Sequence, residues 1–207
     1  MKQLLDINTW KRKDHFHFFN QFEEPFFGVC VNVDCTKAYA TAREKGYSFF
    51  LYYLHKAMVA MNAIEPFRYR IVGEQVWIYD KIDPSPTINR PDGTFGFAYF
   101  EYHADFETFE AIARIITEQV QNSTGLVPAV SGENVVHCSS LPWINFTSLS
   151  HARSFSFKDS CPKVSFGKMT TADGISTMPV SLHVHHALMD GYHAGQFFEY
   201  FQQQLDS

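Results

Sequence analysis

Two consecutive histidines near the end of the chain are the side chains best suited to proton transfer. His185 and His186 follow a strand-like run, and a short turn separates them from Asp190 and a predicted helix. An imidazole at a strand end is held on rigid secondary structure beside a loop that a substrate can reach. Because histidine titrates near neutral pH, this arrangement predicts a general base.

Two other roles remain open for these histidines. A single histidine such as His183 or His193 is usually a core or surface residue with hydrogen-bonded ring nitrogens. His183 and His185 also project from one strand face, as two metal ligands would. Since no third ligand stands at a suitable spacing, the sequence favours proton transfer and predicts no metal.

The composition argues against several classes of protein. Of the 207 residues, 45% are hydrophobic and the net charge is −5, which is typical of a globular chain. No basic run exceeds three residues, so we expect no nucleic-acid partner. No window approaches the ~20 apolar residues of a membrane span, and we expect no membrane partner.

Motifs for metals, nucleotides and secretion are absent from the sequence. The four cysteines form no CxxC pair, and neither a dinucleotide fingerprint nor a P-loop is present. The first residues lack the apolar core of a secretory signal. We therefore expect free thiols, a cytoplasmic location and no permanently bound cofactor.

Hydrophobic periodicity predicts strands and helices without a regular β-α alternation. The predicted helices are one capped by Thr9, a region from 36 to 63 broken near Gly46, 105–121 and 191–205. The predicted strands are 28–34, a hairpin over 67–79, 95–101, 134–138, 162–169 and 176–185. No linker interrupts residues 1–207, so we expect a single α+β domain, a two-layer sandwich with a mixed sheet and packed helices.

Three separated motifs carry a family resemblance. The run from His185 to Gly191, HHALMDG, is similar to the HHxxxDG signature of chloramphenicol acetyltransferases, dihydrolipoamide acyltransferases and peptide-synthetase condensation domains. The run from Trp10 to Phe16, WKRKDHF, resembles the W-x-R-[KR]-E-H-F opening of chloramphenicol acetyltransferases. The run from Ser139 to Phe146, SSLPWINF, resembles their S-A-x-P-W-[VI]-x-F segment. The chain thus resembles this family over essentially its whole length.

The resemblance implies a catalytic role for two residues and a supporting role for two more. His186 would be the base that takes the proton of an acceptor hydroxyl, and Ser139 would donate to the oxyanion. Asp190 would pair with Arg12 and support the site, rather than orient His186. Acetyl-CoA would be the co-substrate in a ternary complex, and the enzyme would be a homotrimer with active sites at subunit interfaces.

The resemblance also implies contacts with both substrates. Lys168 would lie near the phosphates of CoA. The expected acceptor-binding residues are Phe18, Phe19, Phe27, Phe95, Leu149 and Ser165. His151 and Arg153 stand where the family has apolar side chains, which favours a more polar acceptor.

The acceptor's identity therefore stays open. Chloramphenicol is the first expectation, and another small hydroxylated compound, a xenobiotic or a metabolite, is the alternative. A third possible function is that of a non-catalytic binding or scaffold protein. It would be favoured if the base, the serine or the Arg–Asp pair were broken, and all four residues are present.

Overall fold

The computed structural model describes residues 1–126, 132–154 and 158–207, in which strands and helices follow one another irregularly. The helices are α1 (Lys13–Phe19), α2 (Thr36–Lys45), α3 (Phe49–Ala63), α4 (Phe106–Gln121) and α5 (Gly191–Leu205), and a 3-10 turn spans Glu65–Arg68. The strands are β1 (Lys2–Leu4), β2 (Phe26–Asp34), β3 (Tyr69–Val72), β4 (Gln75–Tyr79), β5 (Asp83–Asn89), β6 (Phe95–Phe97), β7 (Val135–Ser140), β8 (Lys163–Phe166), β9 (Thr170–Ala172) and β10 (Ile175–His185).

The described strands form one large mixed sheet and one small antiparallel sheet. The large sheet has the order β2-β10-β8-β7-β5-β6, with β9 paired to β10. Within it, β7 runs parallel to both β5 and β8, and the other pairs are antiparallel. The small sheet has the order β1-β4-β3.

Four helices form a second layer against the large sheet. α3 packs on α2, α4 and α5, while α4 and α5 contact strands near opposite edges. The side chains that β10 sends into this core are buried Met178, Val180, Leu182 and Val184. The predicted two-layer α+β architecture with a mixed sheet is therefore confirmed.

Several helix ends follow from local side-chain chemistry. Gly46 adopts a positive φ of 70°, which a glycine tolerates, and it ends α2. The Ser48 side chain accepts from the Leu51 amide and caps α3, as Asp105 does for α4. The break near Gly46 and the helix at 191–205 were predicted correctly.

Two other local predictions were wrong. The first helix does not start from a Thr9 cap, because Thr9 donates to the Asp6 carboxylate in a turn and α1 begins only at Lys13. β5 was missed because Pro84 and Pro86 are depleted in strands. The carbonyls of both prolines accept hydrogen bonds from the chain that follows β6, so this segment remains paired.

The face of the large sheet away from the helices is polar. Ser139 pairs in register with Ser165, and Ser165 pairs with Ser181. His183 lies beside Lys163 on the same face. Side chains from residues 151–154 lie over this face and leave a cleft between themselves and the strands.

Candidate active site

The turn after β10 is fixed by its own sequence. Ala187, Leu188 and Met189 are fully buried, and the amides of Leu188 and Met189 both donate to the His185 carbonyl. The His186 amide donates to the carbonyl of Pro25 at 2.8 Å. The turn therefore directs three apolar side chains inward and leaves the His186 ring partly exposed.

Aromatic packing and one hydrogen bond orient the His186 imidazole. Its ring stacks on Phe19, with centroids 3.8 Å apart and planes 9° from parallel, and Phe27 lies 4.7 Å away. Nδ1 is 3.2 Å from the carbonyl oxygen of Met189. Because a carbonyl only accepts, Nδ1 carries the hydrogen, and in the neutral ring Nε2 then keeps its lone pair. In the described chain, Nε2 has no hydrogen-bond partner.

The Asp190 carboxylate joins the start of α5 to the segment before α1. It accepts from Arg12 Nη1, and its other oxygen lies 2.9 Å from His193 Nδ1 and accepts from the Tyr192 amide. Arg12 Nη2 also donates to the His186 carbonyl at 3.4 Å. Burial alone would raise the pKa of Asp190, but the hydrogen bond and charge of Arg12 outweigh it and hold that pKa below its ordinary value. The ion pair thus braces the turn that carries His186.

The two consecutive histidines have different environments. His185 is buried, and its Nδ1 accepts from the Ala187 amide at 3.3 Å. Burial lowers the pKa of His185 to about 4, and the nearby charge of Arg153 adds to the effect. His185 is therefore a neutral ring committed to the turn, whereas His186 presents a free nitrogen.

Ser139 lies at the other end of the polar face. It lines the cleft, whose volume is about 290 Å³, and its hydroxyl has no hydrogen-bond partner among the described residues. Its register partner Ser165 is fully buried, and the Ser165 hydroxyl also lacks a described partner. Ser139 can therefore donate into the cleft, while Ser165 offers no exposed surface in one chain.

The predicted base and the predicted oxyanion donor do not meet within one chain. Ser139 is level with Ser181 and two strands away from it, and His185 lies four residues further along β10. With strands about 4.8 Å apart and a rise of about 3.3 Å per residue, Ser139 is about 16 Å from the end of β10. A hydrogen bond network around one thioester cannot span this separation.

The residues that the resemblance assigns to the acceptor are also spread over the fold. Phe19 and Phe27 contact His186, and Phe18 packs edge-on against Phe19 at 5.0 Å with 56% of its surface exposed. Phe95 lies instead on β6, the opposite edge strand of the large sheet.

Leu149 lies over the polar face, with its backbone beside the His183 ring. His183 is on β10, between the level of Ser139 and the end of the strand. The predicted acceptor contacts therefore do not form one pocket within a single chain.

A second cavity lies on the helix side of β7. Its volume is about 360 Å³, and Phe49, Tyr53, Ser140 and Gly167 are among its lining residues. The Tyr53 hydroxyl and Ser140 Oγ are 2.9 Å apart. Because successive strand residues face opposite sides, the end of β7 lies between the cleft and this cavity. Exposed Lys168 follows Gly167 at the rim.

Charged side chains form one wall of the cleft. Arg153 pairs with Glu24, and its guanidinium carbon lies 4.0 Å from the centre of the Phe26 ring. Lys163 pairs with Asp159, and its ammonium lies 4.2 Å from the same ring. Sequence reasoning singled out Arg153 but missed Phe26, Lys163 and Asp159. These residues come from separate segments, so no spacing in the sequence could have grouped them.

Imidazoles form the adjoining wall. The rings of His151 and His183 are 4.8 Å apart and nearly perpendicular. The His183 ring lies so close to β2 that a Cβ at Gly28 would be 2.3 Å from its Nε2, so only glycine fits there. Burial lowers the pKa of His151 to about 4, with smaller contributions from His183 and Lys163. Both rings are polar, and His151 is uncharged near neutral pH.

Folding also brings together three residues of metal-ligating type. The ligand atoms of His137, Asp159 and Cys161 lie within 4.8 Å of one another, a grouping that the sequence spacing did not reveal. Asp159 already accepts from the Lys163 ammonium and the Cys161 amide. The Cys161 thiol donates to the Glu133 carbonyl. Asp159 and Cys161 therefore have protein partners of their own.

Comparison with known proteins identifies the class to which this fold and site belong. The family model for chloramphenicol acetyltransferase matches residues 2–202. A chloramphenicol acetyltransferase from Bacillus pumilus is 32% identical, over 100% of this chain and 94% of that protein. One from Escherichia coli is 30% identical, over 98% and 93%. The chain is therefore an acyltransferase.

Solved structures agree with this class. One, named chloramphenicol acetyltransferase, matches with a TM-score of 0.91 and 33% identity, over 99% of this chain and 100% of that chain. A probable dihydrolipoamide acetyltransferase from Listeria monocytogenes shares the fold, with a TM-score of 0.65 at 15% identity. This chain belongs to the chloramphenicol acetyltransferase family. Among its described helices, none has the length and apolar character needed to cross a bilayer.

Proposed function

We propose that this protein is an acetyl-CoA-dependent O-acetyltransferase that acetylates a hydroxyl of chloramphenicol, with His186 as general base. The observation that carries the proposal is the tautomer of His186. Its Nδ1 donates to the Met189 carbonyl, so Nε2 is available to accept a proton. The names of the relatives favour chloramphenicol as the acceptor.

The proposed reaction uses two side chains in sequence. His186 Nε2 takes the proton of the acceptor hydroxyl as its oxygen attacks the thioester carbonyl. The Ser139 hydroxyl donates to the oxyanion of the tetrahedral intermediate. Collapse of the intermediate breaks the carbon–sulfur bond, and the imidazolium returns its proton to the departing CoA thiolate. Both substrates react in one ternary complex, so proximity contributes much of the rate.

We further propose that each active site combines two copies of the chain in a homotrimer. The separation of about 16 Å between the Ser139 and His186 ends supports this, since it exceeds the reach of hydrogen bonds around one thioester. The acceptor residues are also separated, since Phe19 and Phe27 contact His186 while Phe95 lies on the opposite edge strand of the large sheet. One copy would supply His186 and its neighbour would supply Ser139.

The cavity beside Tyr53 and Lys168 is our proposed site for acetyl-CoA. It lies on the opposite side of β7 from the cleft, and Ser139 and Ser140 face these two spaces. A thioester could then approach the end of β7 from one side and the acceptor from the other. The exposed Lys168 ammonium would attract the CoA phosphates.

Another small hydroxylated compound is the second candidate for the acceptor. It is favoured by His151 and Arg153, which place polar groups in the cleft wall beside Ser139. We propose a cytoplasmic location, because all four cysteines are free thiols.

Release of the CoA thiol in the presence of acetyl-CoA and chloramphenicol tests the proposal. We expect turnover by the wild type and a loss of about 10²–10⁴-fold in kcat for His186→Ala. His15→Ala is the matched control, because His15 is an exposed histidine of α1. Retained turnover in His186→Ala would remove the base from the mechanism. Turnover only with other alcohols would select the second candidate.

A further inference from the structure

The charged wall of the cleft points to the chemical class of the acceptor. We propose that the preferred acceptor is an alcohol that carries a carboxylate, and that Arg153 binds this carboxylate. The inference rests on the proposed acyl transfer and on the assignment of the acceptor to the cleft beside Ser139. It makes Arg153 a determinant of specificity.

Arg153 and Lys163 bring two positive charges to the cleft wall, and each is paired with a carboxylate. The charged lining residues of the cleft are Arg153, Lys163 and Asp159. Of its two lining imidazoles, His151 is neutral near pH 7, because burial lowers its pKa to about 4, and loss of solvent also lowers the pKa of His137. The segments outside the described ranges, 127–131 and 155–157, contain no charged residue. Glu24, the partner of Arg153, lines the neighbouring cavity and not the cleft, so a carboxylate in the cleft would share Arg153 with Glu24 or replace it.

Among the described residues, the Arg153 guanidinium has a single hydrogen-bond partner. It carries five N–H groups, and its hydrogen bond in the described chain is the one from Nη1 to Glu24. Its remaining nitrogens are not among the buried unpaired atoms. Arg153 lines both the cleft and a neighbouring cavity of about 670 Å³, which also contains Glu24. The free donors therefore face solvent-filled space.

Packing fixes the guanidinium before any ligand binds. The Arg153 side chain is only 10% exposed and lies 4.0 Å from the Phe26 ring, whereas Glu24 is 46% exposed. A partly exposed ion pair contributes little, so Glu24 can share the guanidinium with a ligand. A planar guanidinium held in this way favours a carboxylate, which it can bind through two parallel hydrogen bonds.

Two benzyl alcohols that differ only in charge test the proposal. 4-(Hydroxymethyl)benzoate and 4-(hydroxymethyl)benzamide are compared as acceptors by CoA thiol release, or as competitive inhibitors of chloramphenicol acetylation if neither is acetylated. We expect a kcat/KM, or an inhibition constant, that favours the carboxylate by roughly tenfold. Arg153→Gln should reduce this ratio to near unity. Glu24→Gln, which removes the competing carboxylate, should raise it about threefold.

Lys158→Gln is the matched control. It removes the same charge from a side chain that lines the neighbouring cavity and not the cleft, and the ratio should stay within about twofold of the wild-type value. Thermal unfolding of each variant verifies that it is folded.

Two results would overturn the proposal and are distinguishable from failure of the proposed function. A wild-type enzyme that acetylates chloramphenicol but treats both alcohols equally has no anionic preference. A carboxylate preference that survives Arg153→Gln excludes Arg153 as its source. Absence of acetyl transfer to chloramphenicol and to both alcohols would instead reject the acyltransferase assignment of the site, and this inference with it.

Discussion

The two ends of the polar sheet face are built in different ways. At the end of β10, aromatic rings and a main-chain hydrogen bond hold His186, and the Arg12–Asp190 pair braces its turn. At the end of β7, Ser139 opens into a cleft walled by charged pairs and imidazoles. The first end orients one nitrogen for proton transfer, while the second offers many polar groups to a ligand.

The β10 end therefore determines the chemistry of acyl transfer in our account, and the cleft wall determines which acceptor binds. The β10 end contains a contiguous motif that the chain shares with its family. The cleft wall contains Arg153 and His151, at positions where the family resemblance led us to expect apolar side chains. We therefore expect the acetyl-transfer chemistry to follow the relatives and the acceptor preference to differ from theirs.

The sharpest way to test the β7 end is to remove its oxyanion donor. Ser139→Ala should lower kcat by about 10²–10³-fold, because the developing negative charge loses a positioned donor. Ser123→Ala is the matched control, since Ser123 is an exposed serine just after α4 and lines neither the cleft nor the two cavities. CoA thiol release measures both. Equal losses in the two variants would mean that Ser139 has only a packing role.

At the β10 end, the next largest effect should come from the ion pair. Arg12→Ala should lower the free energy of unfolding by about 1.5–3 kcal/mol at neutral pH, because it leaves a partly buried carboxylate without its main partner. Activity should fall with it, since Arg12 also donates to the His186 carbonyl. Denaturant unfolding measures the loss, with exposed Lys11→Ala as the control.

The loss of stability in Arg12→Ala should become smaller as the pH falls. The pKa of Asp190 in the folded protein lies below its ordinary value of 3.8. The pair therefore stabilises the fold above that value, and its contribution is lost as pH falls through the folded pKa. The stability difference between wild type and Arg12→Ala should narrow in this acidic range. A difference that is constant with pH would mean that the charge of Asp190 is not involved.

The smallest expected effect is on the KM for acetyl-CoA, and it distinguishes the roles of the two spaces on either side of β7. Lys168→Gln should raise the KM for acetyl-CoA by about two- to fivefold and leave the KM for the acceptor nearly constant, because one exposed charge contributes little. The effect should shrink as salt is added. Lys37→Gln, an exposed lysine of α2, is the control. A change in acceptor KM instead would exchange the roles proposed for the two cavities.

The elements that could be predicted from the sequence are those that depend on local residue patterns. The α5 helix, the strand before His186 and the α+β class follow from hydrophobic periodicity, whereas the Asp190 cap of α5 is seen only in the structure. β5 could not be predicted, because Pro84 and Pro86 oppose a strand and only tertiary pairing overrides them. The neighbours of Arg153 escaped prediction for a related reason, since Phe26 and Lys163 meet it only when separate strands align.

Complementation between two inactive variants tests most directly whether neighbouring copies share an active site. His186→Ala and Ser139→Ala are each expected to be nearly inactive, and an equal mixture is unfolded and refolded together, or co-expressed. In randomly mixed trimers, about a quarter of the interfaces would pair an intact His186 with an intact Ser139. We predict that CoA thiol release recovers to about a quarter of the wild-type rate per site. A mixed assembly as inactive as its two parents would contradict the claim that neighbouring copies share the site.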